Sequence, residues 1–164
     1  MSQTNLNRNN NSYSGDYMKT GSIGENALIN YCKSNNFDYE DLRHIKEYQE
    51  KDIDFKINSE YIEIKTDKYL IDENSNLLIE LYRINNNINH LFYEGWFTRS
   101  KADYLFYYSV KSKCFYSFRF NDFRKLVLNY LHSSTKDELN GMHRIVLTDK
   151  VKTTFCMVFP VHLF

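Results

Sequence analysis

Asp54, Glu63 and Lys65 are the residues of this chain whose types and spacing could do chemistry together. They belong to two short stretches, Lys51-Asp52-Ile53-Asp54-Phe55-Lys56-Ile57 and Tyr61-Ile62-Glu63-Ile64-Lys65-Thr66-Asp67. Each stretch alternates polar and apolar residues, the period of a half-buried β-strand. Asn58-Ser59 between them is turn-prone. A two-residue hairpin at that point pairs Ile57 with Glu60, and therefore Asp54 with Glu63 and Asp52 with Lys65. All four charged side chains then share one face, while Ile53, Phe55, Ile57, Ile62 and Ile64 form the other. Slipping the register by one residue sets Phe55 against Glu63 and spoils both faces. Carboxylates paired across a ladder stand about 5 Å apart and repel each other, at a cost in stability. A hard divalent ion such as magnesium relieves that cost, because it binds through one or two carboxylates plus water and phosphate oxygens. Lys65 offers its positive charge to the same phosphate or to an attacking water. On chemical grounds this is a constellation for phosphodiester cleavage.

The elements that must position it can be read from periodicity. Residues 1–20 are polar with almost no aliphatic content and read as a disordered arm, leaving 21–164 as one domain. Ser22 and Glu25 have capping-box spacing, and Ile23, Ala27, Leu28, Tyr31 and Cys32 recur at helical intervals, predicting a helix over about 22–34. Strands are expected at 42–46, 52–57, 61–67 and 77–84, and the Asn-rich 85–90 reads as a loop. A second hairpin is expected from 103–110 and 114–118, turning at Lys111-Ser112-Lys113. Phe123, Leu126, Val127, Tyr130 and Leu131 predict an amphipathic helix starting near Asn121. Strands at 144–148 and 154–159 close the chain. This order implies an α/β (α+β) layer with a central mixed β-sheet flanked by helices.

Asp54 followed nine residues later by Glu63-Ile64-Lys65 resembles the PD-(D/E)XK nuclease superfamily, the fold of many restriction enzymes and junction resolvases. Ile53 stands where the proline of that motif would be. Tyr48-Gln49-Glu50-Lys51-Asp52-Ile53-Asp54 is similar to the Gln-x-x-Gly-Ile-Asp segment of small single-domain members, with Asp52 in place of the glycine. Ile79-Glu80 looks like the family's later strand, and Gly95-Trp96 with Ala102-Asp103-Tyr104 looks like its Gly-Trp and Ala-Asp-Tyr segment. The likeness spans about residues 21 to 110. It implies a restriction-endonuclease-like core, Mg2+ or Mn2+ held by Asp54, Glu63, the Ile64 carbonyl and Glu80, and a supporting glutamate on the first helix, Glu25. It also implies DNA as partner and products with a 5′-phosphate and a 3′-hydroxyl.

Several of these residues have plainer roles open to them. Glu25 is either a metal-site residue or the far half of a helix cap. Glu80 is costly inside an aliphatic strand unless paired or bound to a cation, or else its strand lies at a wet edge. Asp52 is a second acid, a solvated turn residue or a salt-bridge partner of Lys65. Arg99, Lys101 and Gln49 are candidates for contact with the nucleic-acid backbone, or ordinary surface. Trp96 reads as a core or rim aromatic.

Net charge is zero, against a protein that coats nucleic acid indiscriminately. Residues 36–80 nevertheless hold 13 acidic against 6 basic side chains, and residues 95–130 hold 7 basic against 2 acidic. An acidic half for metal and a basic half for phosphate suits a nuclease. Cys32, Cys114 and Cys156 lack metal-ligand spacing and read as reduced thiols of a cytoplasmic protein. His44, His90, His132, His143 and His162 have no triad or ligand spacing, and Gly-rich phosphate loops and serine elbows are absent. No apolar run is long enough to cross a bilayer and no signal peptide is read at the start of the sequence. The sequence thus reads as a Mg2+-dependent deoxyribonuclease, with a homodimer needed for double-strand cuts. The alternative is a non-catalytic relative of the same fold that binds nucleic acid or protein, such as an inhibitor carried by a mobile element. Action on RNA is a third reading.

Overall fold

The structure, a computed structural model, describes residues 13–72, 75–87, 91–134, 144–148 and 152–160. It is a mixed α+β fold built on two sheets. The first has five strands, β1 (Tyr39–Asp41), β2 (Phe55–Ile57), β3 (Glu60–Asp67), β6 (Tyr104–Ser109) and β7 (Cys114–Arg119), in that spatial order. Its β3–β6 pair is parallel and the others antiparallel, making it the central mixed sheet. The second is a four-stranded antiparallel sheet of β5 (Leu91–Glu94), β4 (Asn76–Asn85), β9 (Lys152–Pro160) and β8 (Arg144–Thr148). The helices are α1 (Tyr13–Ser34), α2 (Lys46–Gln49), α3 (Trp96–Arg99) and α4 (Phe120–Ser133).

The hairpin that carries the candidate site has the register expected of it, with Ile57 opposite Glu60 and Phe55 opposite Ile62. Asn58, at φ 54°, occupies the left-handed turn position that asparagine tolerates. On β3 the alternation divides two cores. Ile62 and Ile64 join Phe55 beneath Leu28 and Cys32 of α1. Glu63 and Lys65 point to the opposite face, where Leu105 and Tyr107 of β6 meet Trp96, Phe97, Phe120, Phe123 and residues of the second sheet. Each large aliphatic or aromatic side chain removed from water in these cores contributes about 1.5–3 kcal/mol.

Three expectations change. Helix α1 begins at Tyr13, so Ser22 is an interior helical residue and cannot be an N-cap. Residues 1–12 of the expected arm lie outside the described residues. The strand expected at 42–46 is replaced by β1 at Tyr39–Asp41 and by α2, a helical turn from Lys46. A second sheet takes β4 and the C-terminal strands out of the central one. β4 is interior there, flanked by β9 and by β5, a strand that the Asn-rich run had hidden. The 104–109 and 114–119 hairpin and helix α4 match their expected positions closely.

No described helix is long and apolar enough to cross a membrane. The three cysteines are free, with Cys32 and Cys156 buried.

Candidate active site

β2 begins only at Phe55, and the two residues before it set the site. The Asp54 N–H donates to the Ile62 carbonyl (2.9 Å), and the Asp54 carboxylate accepts the Ile64 N–H (2.9 Å). Asp54 therefore ends the β2–β3 ladder with its side chain. One carboxylate oxygen satisfies a strand donor, and the other has no hydrogen-bond partner among the described residues. In an extended strand the N–H and C=O of one residue point to the same edge. The Ile64 carbonyl consequently faces the edge at which the Asp54 carboxylate lies.

Glu63 is one residue away on the opposite-face row and only 2% exposed, in a row whose neighbours are apolar. Its partner is Lys65, whose Nζ donates to it. Burial pushes the Glu63 carboxyl well above the usual range; the Lys65 charge opposes this, and Asp54 and Asp52 add to it. For Lys65, burial pulls the amine down, but Glu63 and Asp54 outweigh it and the net shift is upward. Trp96 holds the amine from one side, its ring centroid 5.4 Å from Nζ. With 29% of its side chain exposed, Lys65 links the buried glutamate to solvent.

Asp52 stands apart from the pattern expected of it. It lies at φ 46°, outside β2 and in the left-handed region that favours glycine, the residue the nuclease motif carries there. Its carboxylate makes no ion pair with Lys65, whose amine it raises only through its charge, but forks onto Arg99, with Nε at 2.7 Å and Nη2 at 2.6 Å. The Ser100 hydroxyl donates to the Asp52 carbonyl (2.9 Å), and the Lys101 N–H to the Lys51 carbonyl (2.8 Å). The turn before Asp54 is thereby clamped to the end of α3. This twist also moves Ile53 to the larger core, away from Phe55.

Arg99 is held in its charged form first by the hydrogen bonds to Asp52, with burial opposing and the Glu80 and Glu63 charges assisting. Glu80 thus enters the same electrostatic neighbourhood. It projects from an interior strand, with Oε1 3.2 Å from Arg83 Nε, too misaligned to satisfy that buried N–H. Gly95 makes the adjacent chain crossing practicable. A Cβ there would lie 2.3 Å from the Glu80 carbonyl oxygen.

The remaining candidates are placed elsewhere. Glu25 accepts from Arg43, which also holds Asp41, and no hydrogen bond or ion pair joins it to Asp54, Glu63 or Lys65. Helix α1 packs on the Ile62 and Ile64 side of the sheet, away from Glu63. The Gln49 amide donates to the Arg43 carbonyl (2.6 Å) and closes its own turn. Arg99 is committed to Asp52, whereas Lys101 is exposed. The structure adds Ser100 to the site's surroundings, sets Trp96 against the Lys65 amine, and gives Asp52 a different partner, Arg99. Only the glycine expected at position 52 hinted at the role of Asp52.

Among the described residues no three His, Cys, Asp or Glu side chains converge in the manner of a closed metal centre. The donors near one another are two carboxylates, Asp54 and Glu63, and a main-chain carbonyl, Ile64. That set fits magnesium, which keeps several waters and takes few protein ligands. Comparison with protein-family models, with curated proteins and with solved structures finds no match for this chain.

Proposed function

We propose that this chain is a metal-dependent endonuclease of the PD-(D/E)XK type that hydrolyses DNA phosphodiester bonds. The observation that supports it most is the buried Glu63, set beside Asp54 and Lys65 at the point where the hairpin ladder stops. A carboxylate is costly at such a position unless a cation accompanies it. In this reading Asp54, Glu63 and the Ile64 carbonyl hold Mg2+ or Mn2+, and Glu80 acts through the charge of Arg99. When bound there, such an ion would supply Lewis acidity to a phosphate oxygen and to water.

Lys65 has two duties. Without a bound cation it neutralises Glu63. Freed from that carboxylate, it keeps its proton and donates a hydrogen bond to the attacking water or to a phosphate oxygen as charge builds there. Attack at phosphorus with departure of the 3′ oxygen leaves a 5′-phosphate and a 3′-hydroxyl. One site per chain cuts one strand, so a double-strand cut takes two copies. Arg99 holds the Asp52 turn, and Lys101 remains for the phosphate backbone.

A second reading, a non-catalytic relative of the same fold, is favoured by one fact. The charges near Glu63 are matched by neighbours: Glu63 with Lys65, Asp52 with Arg99, Glu80 with Arg83. Calorimetric titration with Mn2+ separates the two. The nuclease reading expects millimolar or tighter binding that Glu63→Gln abolishes; absence of binding in the unaltered protein favours the second.

A further inference from the structure

On the face of the central sheet that α1 covers, the helix reaches across β3 but leaves the far strands partly open. Gly24 sets how closely it lies, since a Cβ there would come 2.2 Å from Thr66 Oγ1 and 3.2 Å from Tyr108 Cβ. Register places Tyr104, Phe106 and Tyr108 of β6 on this face, opposite Arg119, Ser117 and Phe115 of the edge strand β7. Ala27 and Tyr31, one turn apart on α1, form the facing wall. Between them runs a groove of about 540 Å³.

Its aromatic rings are close enough to form a continuous surface. Phe115 lies 4.8 Å from Tyr108, 6.0 Å from Phe106 and 6.3 Å from Tyr31, centroid to centroid. Tyr31 is 50% exposed, so its ring is available to a ligand. Cations stand at the two ends of β7: Lys113 in the turn lines the groove, and the Arg119 guanidinium lies 5.7 Å from the Tyr104 ring centroid. Five residues separate them, so the two stand about 20 Å apart along extended strand. Of the residues that line the groove, Lys113 is the charged one and none is acidic, in a chain whose net charge is zero.

We propose that this groove binds single-stranded nucleic acid, with bases stacking on Tyr31, Phe106 and Phe115 and phosphates meeting Lys113 and Arg119. Aromatic rings combined with a one-signed cationic rim are what a sequence-tolerant single-strand site requires, because every base offers a π-face. A duplex fits less well, since its bases are already stacked and its flat edges do not enter a narrow groove. An acidic peptide would match the charge but gain little from the rings. The inference goes beyond the nuclease reading. It concerns the opposite face of the sheet and is tested without divalent metal.

The test is fluorescence anisotropy of a labelled oligothymidylate of about ten nucleotides, a length within single-strand site sizes, in EDTA at low salt. Expected is saturable binding that weakens as salt rises. Tyr31→Leu, which keeps apolar bulk but removes the ring, should weaken it roughly tenfold. Lys113→Glu and Arg119→Glu should each lower the salt slope by at least about 0.7, one phosphate contact. Failure to bind, binding indifferent to Tyr31→Leu with an unchanged salt slope in both charge variants, or preference for a polyglutamate peptide over the oligonucleotide would overturn the proposal. Thermal unfolding of each variant confirms that it is folded.

Discussion

Position 52 allows backbone geometry and ion pairing to be separated by substitution. Asp52 has φ 46° and forks onto Arg99 at 2.6 and 2.7 Å, with 14% of its own side chain and 31% of Arg99's exposed. Two charge-assisted hydrogen bonds in a part-buried setting, one partner removed, are worth about 2–3 kcal/mol, less than a fully buried pair because Arg99 can regain water. Holding a Cβ in the left-handed region costs about 1 kcal/mol more than holding glycine there. Asp52→Ala loses the fork and keeps the strain; Asp52→Gly loses the fork and relieves the strain. Asp52→Gly should therefore be about 1 kcal/mol more stable than Asp52→Ala, and both less stable than the unaltered chain. Adding Arg99→Ala to Asp52→Gly should cost little more, giving a coupling energy of about 2 kcal/mol. Urea unfolding followed by the fluorescence of Trp96, the single tryptophan and a buried one, reads Asp52→Ala, Asp52→Gly, Arg99→Ala and the Asp52→Gly/Arg99→Ala double variant. If alanine equals or exceeds glycine at 52, or if the two substitutions add without coupling, the clamp between this turn and α3 does not exist as described.

Glu63→Gln should alter the pH dependence of stability with a definite sign. A carboxyl raised by burial contributes its full stability below its unfolded pKa of about 4.3 and loses it as pH rises through the folded value. The glutamine variant has no such loss, so its stability relative to the unaltered protein should climb from pH 4 to pH 8, by at most about 1.4 kcal/mol per pH unit. Lys65 stays protonated throughout that window, so a flat or falling difference from chemical unfolding would contradict the burial argument. Gly95→Ala should destabilise by about 2–3 kcal/mol, because the added Cβ meets main chain, not a movable side chain. An unchanged melting temperature would show that the crossing at Glu80 is looser than described.

Much of this was legible because strand periodicity is strict. The Ile57–Glu60 pairing followed from a turn-prone pair between alternating stretches, and it fixed which face Glu63 and Lys65 take. The β6–β7 hairpin and α4 were equally plain, since their apolar residues recur without interruption. What failed did so where local signals compete with tertiary ones. The polar start of α1 reads as disordered because its helical pattern begins only at Ile23, and the serine that looks like a cap is interior. β5 follows a run of asparagines, and its four exposed residues carry no buried alternation. The division into two sheets depends on β4 pairing with β9, more than sixty residues later, which no local pattern specifies. At the site, alternation placed Asp52 beside Lys65, but a left-handed turn at Asp52 breaks the alternation and gives its carboxylate to Arg99. Glu25 has the spacing of a cap and the helix of the nuclease motif, yet Arg43 holds it.

As proposed, Asp54, Glu63 and Lys65 form one cation-dependent cleaving site. Its most direct measurement is the incubation of labelled duplex, branched and single-stranded DNA with the purified protein, with and without Mg2+ or Mn2+. Expected are 5′-phosphate ends that appear only with the metal, and none from folded Glu63→Gln or Lys65→Ala protein. Cleavage that persists in EDTA or in both variants, or no cleavage of any of these substrates by the unaltered protein, would contradict it.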